Sequence, residues 1–206
     1  MTQNLNPNRQ NIEKFLIAVT QDWPKESEQN DEFEIRCISE NRTPVTQRFA
    51  PHSISDAIDL AVRMNGLGLN VYMTINPINS ASGNSGKAAT DAEVKRAHFS
   101  FADADDEQGL HGVKELAALI KPDMVVRTGT TPWRRYHSYW RLFEPCHDLV
   151  MWRQKQSQIA QQFGTDAAVS NPSRLMRLAG TIAYPNSKKL ARGYIPELTI
   201  LKMAPS

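Results

Sequence analysis

Apolar positions recur at helical spacing in four long stretches of this 206-residue chain, and alternate with polar ones through much of the rest. In NIEKFLIAVTQDW (11–23), Ile12, Phe15, Leu16 and Val19 share one face of a helix. SISDAIDLAVRMNGLG (53–68) places Ile54, Ala57, Ile58, Ala61 and Val62 together, opens with a Ser53/Asp56 capping-box pattern and stops at Gly66. GVKELAALIK (112–121) is a third helix. DLVMWRQKQSQIAQQFG (148–164) is the fourth, with Asp148 as its cap and Leu149, Trp152, Ile159 and Phe163 facing inward. AEVKRA (92–97) predicts one more short helix.

Period-two alternation marks the strands. FEIRCISE (33–40) and PVTQRFA around the turn NRTP predict a hairpin. NVYMTINPI (70–78) and HFSFADAD (98–105) read as further strands, and YIPELTILK (194–202) as the closing one. DMVVRTGT (123–130) and HSYWRLFE (137–144) form a second hairpin around a long basic loop, RTGTTPWRRYH, in which Arg134 and Arg135 lie and after which His137 opens the next strand. NSASGNSGKAATD (79–91) is a Ser/Gly/Asn-rich loop with the composition of a connector or a lid, and 165–189 reads as irregular and basic. From residue 71 the order is strand, strand, helix, strand, strand, helix, strand. Hairpins mixed with crossover helices predict an α+β fold with a mainly antiparallel sheet and helices packed on it.

No P-loop and no GxGxxG pattern is present, which argues against a Walker or Rossmann phosphate site. Forty per cent hydrophobic residues support one good core, and no run approaches the roughly 18 apolar residues of a membrane helix. The polar N-terminus has no signal-peptide core, and Cys37 and Cys146 stand alone and far apart. The expectation is a cytoplasmic protein with reduced thiols that makes no use of membranes.

Charge changes the picture more than composition does. The net formal charge is +2, but residues 121–206 hold 13 Lys and Arg against 5 Asp and Glu, leaving 11 against 17 in residues 1–120. A basic C-terminal part suits a polyanion such as a nucleic acid or a nucleoside triphosphate.

The acids concentrate at one place. HFSFADADDEQG (98–109) ends an apolar run in Asp103, Asp105 and Asp106, with Glu107 beside them. Asp103 and Asp105, at i and i+2 on a strand, point to the same side. Carboxylates that close repel, so either they form a solvated turn or they hold a hard cation such as Mg²⁺ or Mn²⁺. Thr128, Gly129 and His137, near Arg134 and Arg135, could cradle phosphate oxygens. Asp166 follows a helix end, and Arg174, Arg177, Lys188 and Lys189 put four cations around an apolar strand.

Taken in order, strand–DxD, hydroxyl–turn–His, helix–Asp and R-x-x-R-L-x-G-T-x-x-x-x-N-x-K resemble the archaeo-eukaryotic primase superfamily, most of all its RepB-like plasmid and phage primase and primase-polymerase domains. The resemblance runs from about Val71 to Lys189. It rests on Asp103 and Asp105, then Thr128 and His137, then Asp166, and then Arg177, Leu178, Gly180, Thr181, Asn186 and Lys188. The stretch between Thr128 and His137 is longer and more basic than the family's compact turn, and its zinc-binding insertions are absent.

This resemblance implies an RRM-like catalytic sheet, in about 69–206, packed against a small N-terminal α/β unit in about 1–68, the two forming one catalytic domain or a fragment of a longer replication protein. It implies template-directed nucleotidyl transfer from NTPs or dNTPs at a two-metal site of Mg²⁺ or Mn²⁺ held by Asp103, Asp105 and Asp166. Thr128, His137, Arg177 and Lys188 would bind the nucleotide. Trp133, Arg134, Arg135 and Arg174 would contact the nucleic acid, with Trp133 and Tyr136 free to stack on bases. The partners implied are a single-stranded DNA template, a primer, and a helicase or helical accessory domain. Two rival readings remain. A non-catalytic single-strand or origin DNA-binding module would bind DNA without regard to Mg²⁺. A Toprim-like nuclease would need a metal-binding Glu on an earlier strand, which VYMTINPI lacks.

Overall fold

The computed structural model describes residues 5–23, 31–79 and 86–204. Helix α1 (Arg9–Thr20) starts where the Asn8 side chain accepts a hydrogen bond from Asn11 N at 2.9 Å, and it buries Ile12, Phe15, Leu16 and Val19 as its spacing requires. Strands β1 (Asp31–Ser39) and β2 (Arg42–Phe49) form the expected hairpin, and α2 (Ile54–Gly66) follows. The Ser53/Asp56 capping box does not form. A 3₁₀ turn, Pro51–Ser53, precedes α2 and holds Ser53 at φ −101°, ψ 26°, away from the extended conformation that turns a hydroxyl back onto the first helical amides. A capping box does close the 3₁₀ turn Asp91–Glu93, through Thr90 and Glu93, where a short helix was expected.

The 70–78 strand is interrupted: β3 (Asn70–Thr74) pairs with the middle of β1, and β4 (Ile78–Asn79) with its start. Part of the Ser/Gly/Asn loop, residues 80–85, lies outside the described residues. Then come β5 (Ala97–Ala104), α3 (Glu107–Leu119), β6 (Met124–Gly129), β7 (Arg135–Cys146) and α4 (Leu149–Phe163). Helix α3 begins five residues earlier than its periodicity suggested, because Asp106 caps it by accepting from Gly109 N at 2.8 Å. Part of the acidic tip is therefore a helix cap. Strand β7 starts at Arg135, so the long loop shrinks to Thr130–Arg134, and Arg135 is a strand residue. The irregular basic segment contains β8 (Leu175–Arg177), β9 (Ile182–Ala183) and α5 (Ser187–Ala191). The closing strand divides into β10 (Glu197–Leu198), paired with β9, and β11 (Ile200–Met203), paired with β6.

Every strand pair among the described residues is antiparallel. One sheet runs β2-β1-β3-β8 with β4 on β1, and the other runs β11-β6-β7-β5. In the second sheet β7 lies between β5 and β6, which α3 connects, giving a split β–α–β order, and β11 closes on the far side of β6. The fold is α+β as expected. The first sheet draws strands from both sides of residue 68, since β3 and β8 complete it.

A continuous core takes in α1, α2, the inner faces of both sheets and Trp152 of α4; the Phe15 ring meets Tyr139 edge-on at 5.6 Å. A smaller cluster of Ala102, Ala104, Val113, Leu116 and Trp140 lies under α3. This two-sided burial fixes the site. On β5, Ala97, Phe99 and Phe101 point into the main core, and Asp103 is the next residue in that series.

Candidate active site

The strand period thus carries a carboxylate into the end of the core. Register places Asp103 opposite His137 on β7, and His137 opposite Val126 on β6. The Asp103 side chain is 13% exposed, and its Oδ1 lies 3.5 Å from His137 Nε2. Asp105 emerges at the rim, 48% exposed, where Lys189 Nζ donates to its Oδ2 at 3.0 Å. Asp166, more than sixty residues away in sequence, is delivered by the turn after α4. Its main-chain N donates to Asp103 O at 3.1 Å, and its Oδ2 lies 3.9 Å from Arg174 Nη2.

These positions set the electrostatics. Burial pushes the Asp103 carboxyl up to about 8, and the charges of Asp105 and Asp166 push the same way. At the Asp105 carboxyl burial opposes ionisation, but the Lys189 ammonium outweighs it and holds the group below its ordinary value. Burial pushes His137 down to about 3, aided by the Arg177 charge, so its imidazole is neutral. Tyr139 Oη lies 3.4 Å from His137 Nδ1, and burial holds that phenol well above its ordinary value. A Tyr139 hydroxyl that donates to Nδ1 leaves the proton on Nε2, which faces Asp103.

Around the acids is a cavity of about 160 Å³ between the ends of the two sheets, lined by Asp103, Asp105, Thr128, Arg135, His137, Arg174, Arg177 and Lys189 together with Tyr72, Tyr184 and Tyr194. Arg177 donates to Tyr72 Oη at 2.9 Å and to Asn70 Oδ1 at 2.6 Å, which fixes the guanidinium on the first sheet. Thr128 Oγ1, Arg174 Nε and Asp103 Oδ1 are buried with no hydrogen-bond partner. Two orphaned donors and an orphaned carboxylate oxygen around one polar cavity are what a site awaiting an anion and a cation presents.

Most of the residues singled out in the sequence meet here. Asp103, Asp105, Thr128, His137, Arg135, Arg174 and Arg177 line the cavity, and Asp166 stands behind Asp103. Lys188 does not: it is exposed, and its charge acts on Glu40, which accepts from Ser187 N at the start of α5. Neighbouring residues on a helix point about 100° apart, so α5 can send only one of the two lysines inward, and that one is Lys189. Arg135 is also reassigned. Buried at the start of β7, it pairs with Glu197 at 3.1 Å, donates to Thr131 O and lies 4.4 Å over the Tyr194 ring, so it is not a loop cation free to follow a backbone. Arg134 is exposed, and the Trp133 indole N–H donates to Asp105 O at 2.8 Å. The sequence reading missed Glu197, Tyr72 and Tyr194.

The fit to a divalent cation can be judged from the donors. Among the described residues no three His, Cys, Asp or Glu side chains stand close enough to form a finished cage. Asp105 and Asp166 nonetheless both repel the Asp103 carboxylate, one oxygen of which has no hydrogen-bond partner. Carboxylate oxygens so placed suit Mg²⁺ or Mn²⁺, which keep part of their shell for water and substrate phosphate. The residues fit such an ion.

No family model matches the chain, and no curated protein does. Solved structures do. The chain is similar to the AEP domain of the primase-polymerase of cyanophage S-2L, with a TM-score of 0.64 and 21% identity over 98% of this chain and 92% of that one. It is also similar to the primase RepB′ (TM-score 0.60, 14% identity, 96% of this chain), of which it spans 57%. A third likeness is to the catalytic domain of RepB′ in complex with initiator DNA (TM-score 0.58, 16% identity, 95% and 84% covered). At these identities the likeness establishes the fold: nearly the whole chain shares the fold of these domains. Among the described residues no helix is long and apolar enough to cross a membrane.

Proposed function

We propose that this chain is a primase or primase-polymerase, a nucleotidyltransferase that extends or starts a strand on a single-stranded DNA template. The observation that carries this reading is the pairing of opposites in one cavity: Asp103 and Asp105, with Asp166 behind Asp103, face Arg174, Arg177 and Lys189 across a space suited to a triphosphate. The likeness in fold to a primase-polymerase and to a primase bound to initiator DNA supports it.

In the reaction a 3′-hydroxyl oxygen bonds to the α-phosphorus, and the bond from that phosphorus to the bridging oxygen breaks, releasing pyrophosphate. Asp103, Asp105 and Asp166 would hold Mg²⁺ or Mn²⁺, whose Lewis acidity would help the attacking hydroxyl give its proton to water and would stabilise the leaving oxygen. Arg177, pre-set by Tyr72 and Asn70, and Lys189 neutralise the triphosphate. Lys189, paired with Asp105 at 3.0 Å, would exchange that carboxylate for a phosphate oxygen as a cation takes over the Asp105 charge. Neutral His137 offers an Nε2 proton without adding a cation beside the metal ligands, and Thr128 Oγ1 offers a second uncommitted donor. Trp133, whose indole N–H donates to Asp105 O, and the exposed Arg134 next to it in the chain would meet the template or primer.

The test is extension of a labelled primer on single-stranded template with Mg²⁺ or Mn²⁺ and each nucleotide set, with Asp103→Ala/Asp105→Ala alongside. Metal-dependent products that vanish in the double variant are expected, and a lane without primer reports initiation. DNA binding that ignores both metal and the double variant, with no product, would replace this reading with a binding module. The two lysines give a sharper comparison. Lys189→Ala should raise the KM for nucleotide about 10- to 100-fold, the loss of one charge-assisted phosphate contact of about 1.5–3 kcal/mol. Lys188→Ala should stay within about two-fold. Equal effects would remove Lys189 from the site.

A further inference from the structure

Among the described residues the outer edge of β5 pairs with no strand, yet three alternate carbonyls of β5 accept hydrogen bonds from outside the sheet. Trp152 Nε1 donates to Phe99 O at 3.0 Å, Gln156 Nε2 donates to Phe101 O at 2.8 Å, and Asp166 N donates to Asp103 O at 3.1 Å. Alternate carbonyls on a strand are about 6.7 Å apart, and residues at i and i+4 advance about 6 Å along a helix, so two side chains of α4 keep step with two carbonyls of β5. Main chain beyond the helix then supplies the third donor.

Gln156 does more than cover an edge. The same Nε2 lies 3.5 Å from Val169 O, and Val169 N donates to Asp166 O at 3.1 Å, closing the turn that carries the third acid. One amide, 2% exposed, thus touches the strand two residues before Asp103 and the turn three residues beyond Asp166. Packing does not explain its presence. Leucine would fill a similar volume without the cost of burying an amide, whose Oε1 here has no hydrogen-bond partner.

We propose that Gln156 is a positioning residue: by tying β5 to the turn after α4 it sets the spacing between Asp103 and Asp166, and with it the affinity for the divalent cation. The functional consequence rests on the nucleotidyltransferase reading, but the spacing does not. The test compares Gln156→Leu and the unbranched Gln156→Met with Trp152→Phe, which removes the analogous bond one helical turn further from the acids. Three quantities are read: hydrogen exchange of the Asp166 amide in metal-free protein, Mn²⁺ affinity by electron paramagnetic resonance, and the thermal midpoint. In the Gln156 variants Asp166 exchange should quicken at least about ten-fold and Mn²⁺ should bind about 10- to 100-fold more weakly, the range seen when a supporting group behind a metal ligand is removed. Trp152→Phe should lower the midpoint as much yet leave both other readouts within about two-fold. Unchanged Asp166 exchange in both Gln156 variants, or equal changes in Trp152→Phe, would overturn the inference. A wild-type protein that binds Mn²⁺ but makes no product would overturn the polymerase reading alone.

Discussion

Asp103→Asn should abolish nucleotidyl transfer while making the metal-free protein more stable. A drop of at least about 10³-fold in rate, roughly 4 kcal/mol of barrier, is expected if this carboxylate holds the divalent cation as proposed. The gain in stability has the same origin. Asp103 continues the inward series of Phe99 and Phe101, is repelled by Asp105 and Asp166, and leaves an oxygen without a partner. A neutral amide of the same shape removes that repulsion, and a gain of about 1–2 kcal/mol would raise the thermal midpoint by roughly 2–8 °C in a chain of this size.

The sign of the pH dependence follows from the raised carboxyl. Its folded value of about 8 lies above its unfolded value near 4, so the folded state holds the proton more tightly and wild-type stability falls as pH rises between the two. The advantage of Asn should therefore grow from about pH 4 to about pH 8 and then level off. Differential scanning of both proteins in chelator, across that range, checks it. A less stable Asn variant would mean that Asp103 is a structural partner of His137 and not a strained metal ligand.

Gly112→Ala should damage both the fold and the site. A Cβ at Gly112 would stand 1.5 Å from Phe163 O, main chain against the last turn of α4, where no rotamer change can relieve the clash. α3 and α4 must separate, which costs about 1–3 kcal/mol or more. Gly164, at φ +61°, ends α4 immediately after Phe163, and Asp166 follows two residues later, so the displacement reaches the third acid. The thermal midpoint should fall by about 2–12 °C, and extension activity should fall further than unfolding explains when measured well below that midpoint. Gly109→Ala is the milder comparison, since its Cβ would meet Ala104 Cα at 3.2 Å. Equal behaviour of the two variants would show that the α3–α4 contact does not govern the site.

Much of this protein is determined by local pattern. The helical faces of α1, α2 and α4 and the alternation in β1, β5 and β6 follow from periods of 3.6 and 2, which act over a few residues. The same period of 2 put Asp103 and Asp105 on one side and made a site at the end of β5 legible in the sequence. Other features were decided by partners far along the chain. β3 belongs to the first sheet because β1 and β8 flank it. Lys189 enters the cavity in place of Lys188 because of how α5 is rotated, and Arg135 is buried because Glu197 lies opposite it.

Gln156 is the instructive case. It occupies the inward face shared by Trp152 and Ala160, a place that its polarity does not mark in the helical pattern. Only the tertiary structure shows that β5 and the Asp166 turn both lie within reach of its amide. Periodicity specifies which way a side chain faces, because the backbone repeats locally. What it meets there depends on hydrogen bonds and charges that close only when distant segments pack. The sequence therefore determined the acids, their strand and the fold class, and tertiary packing alone decided which cations face those acids and what holds the third carboxylate beside the first.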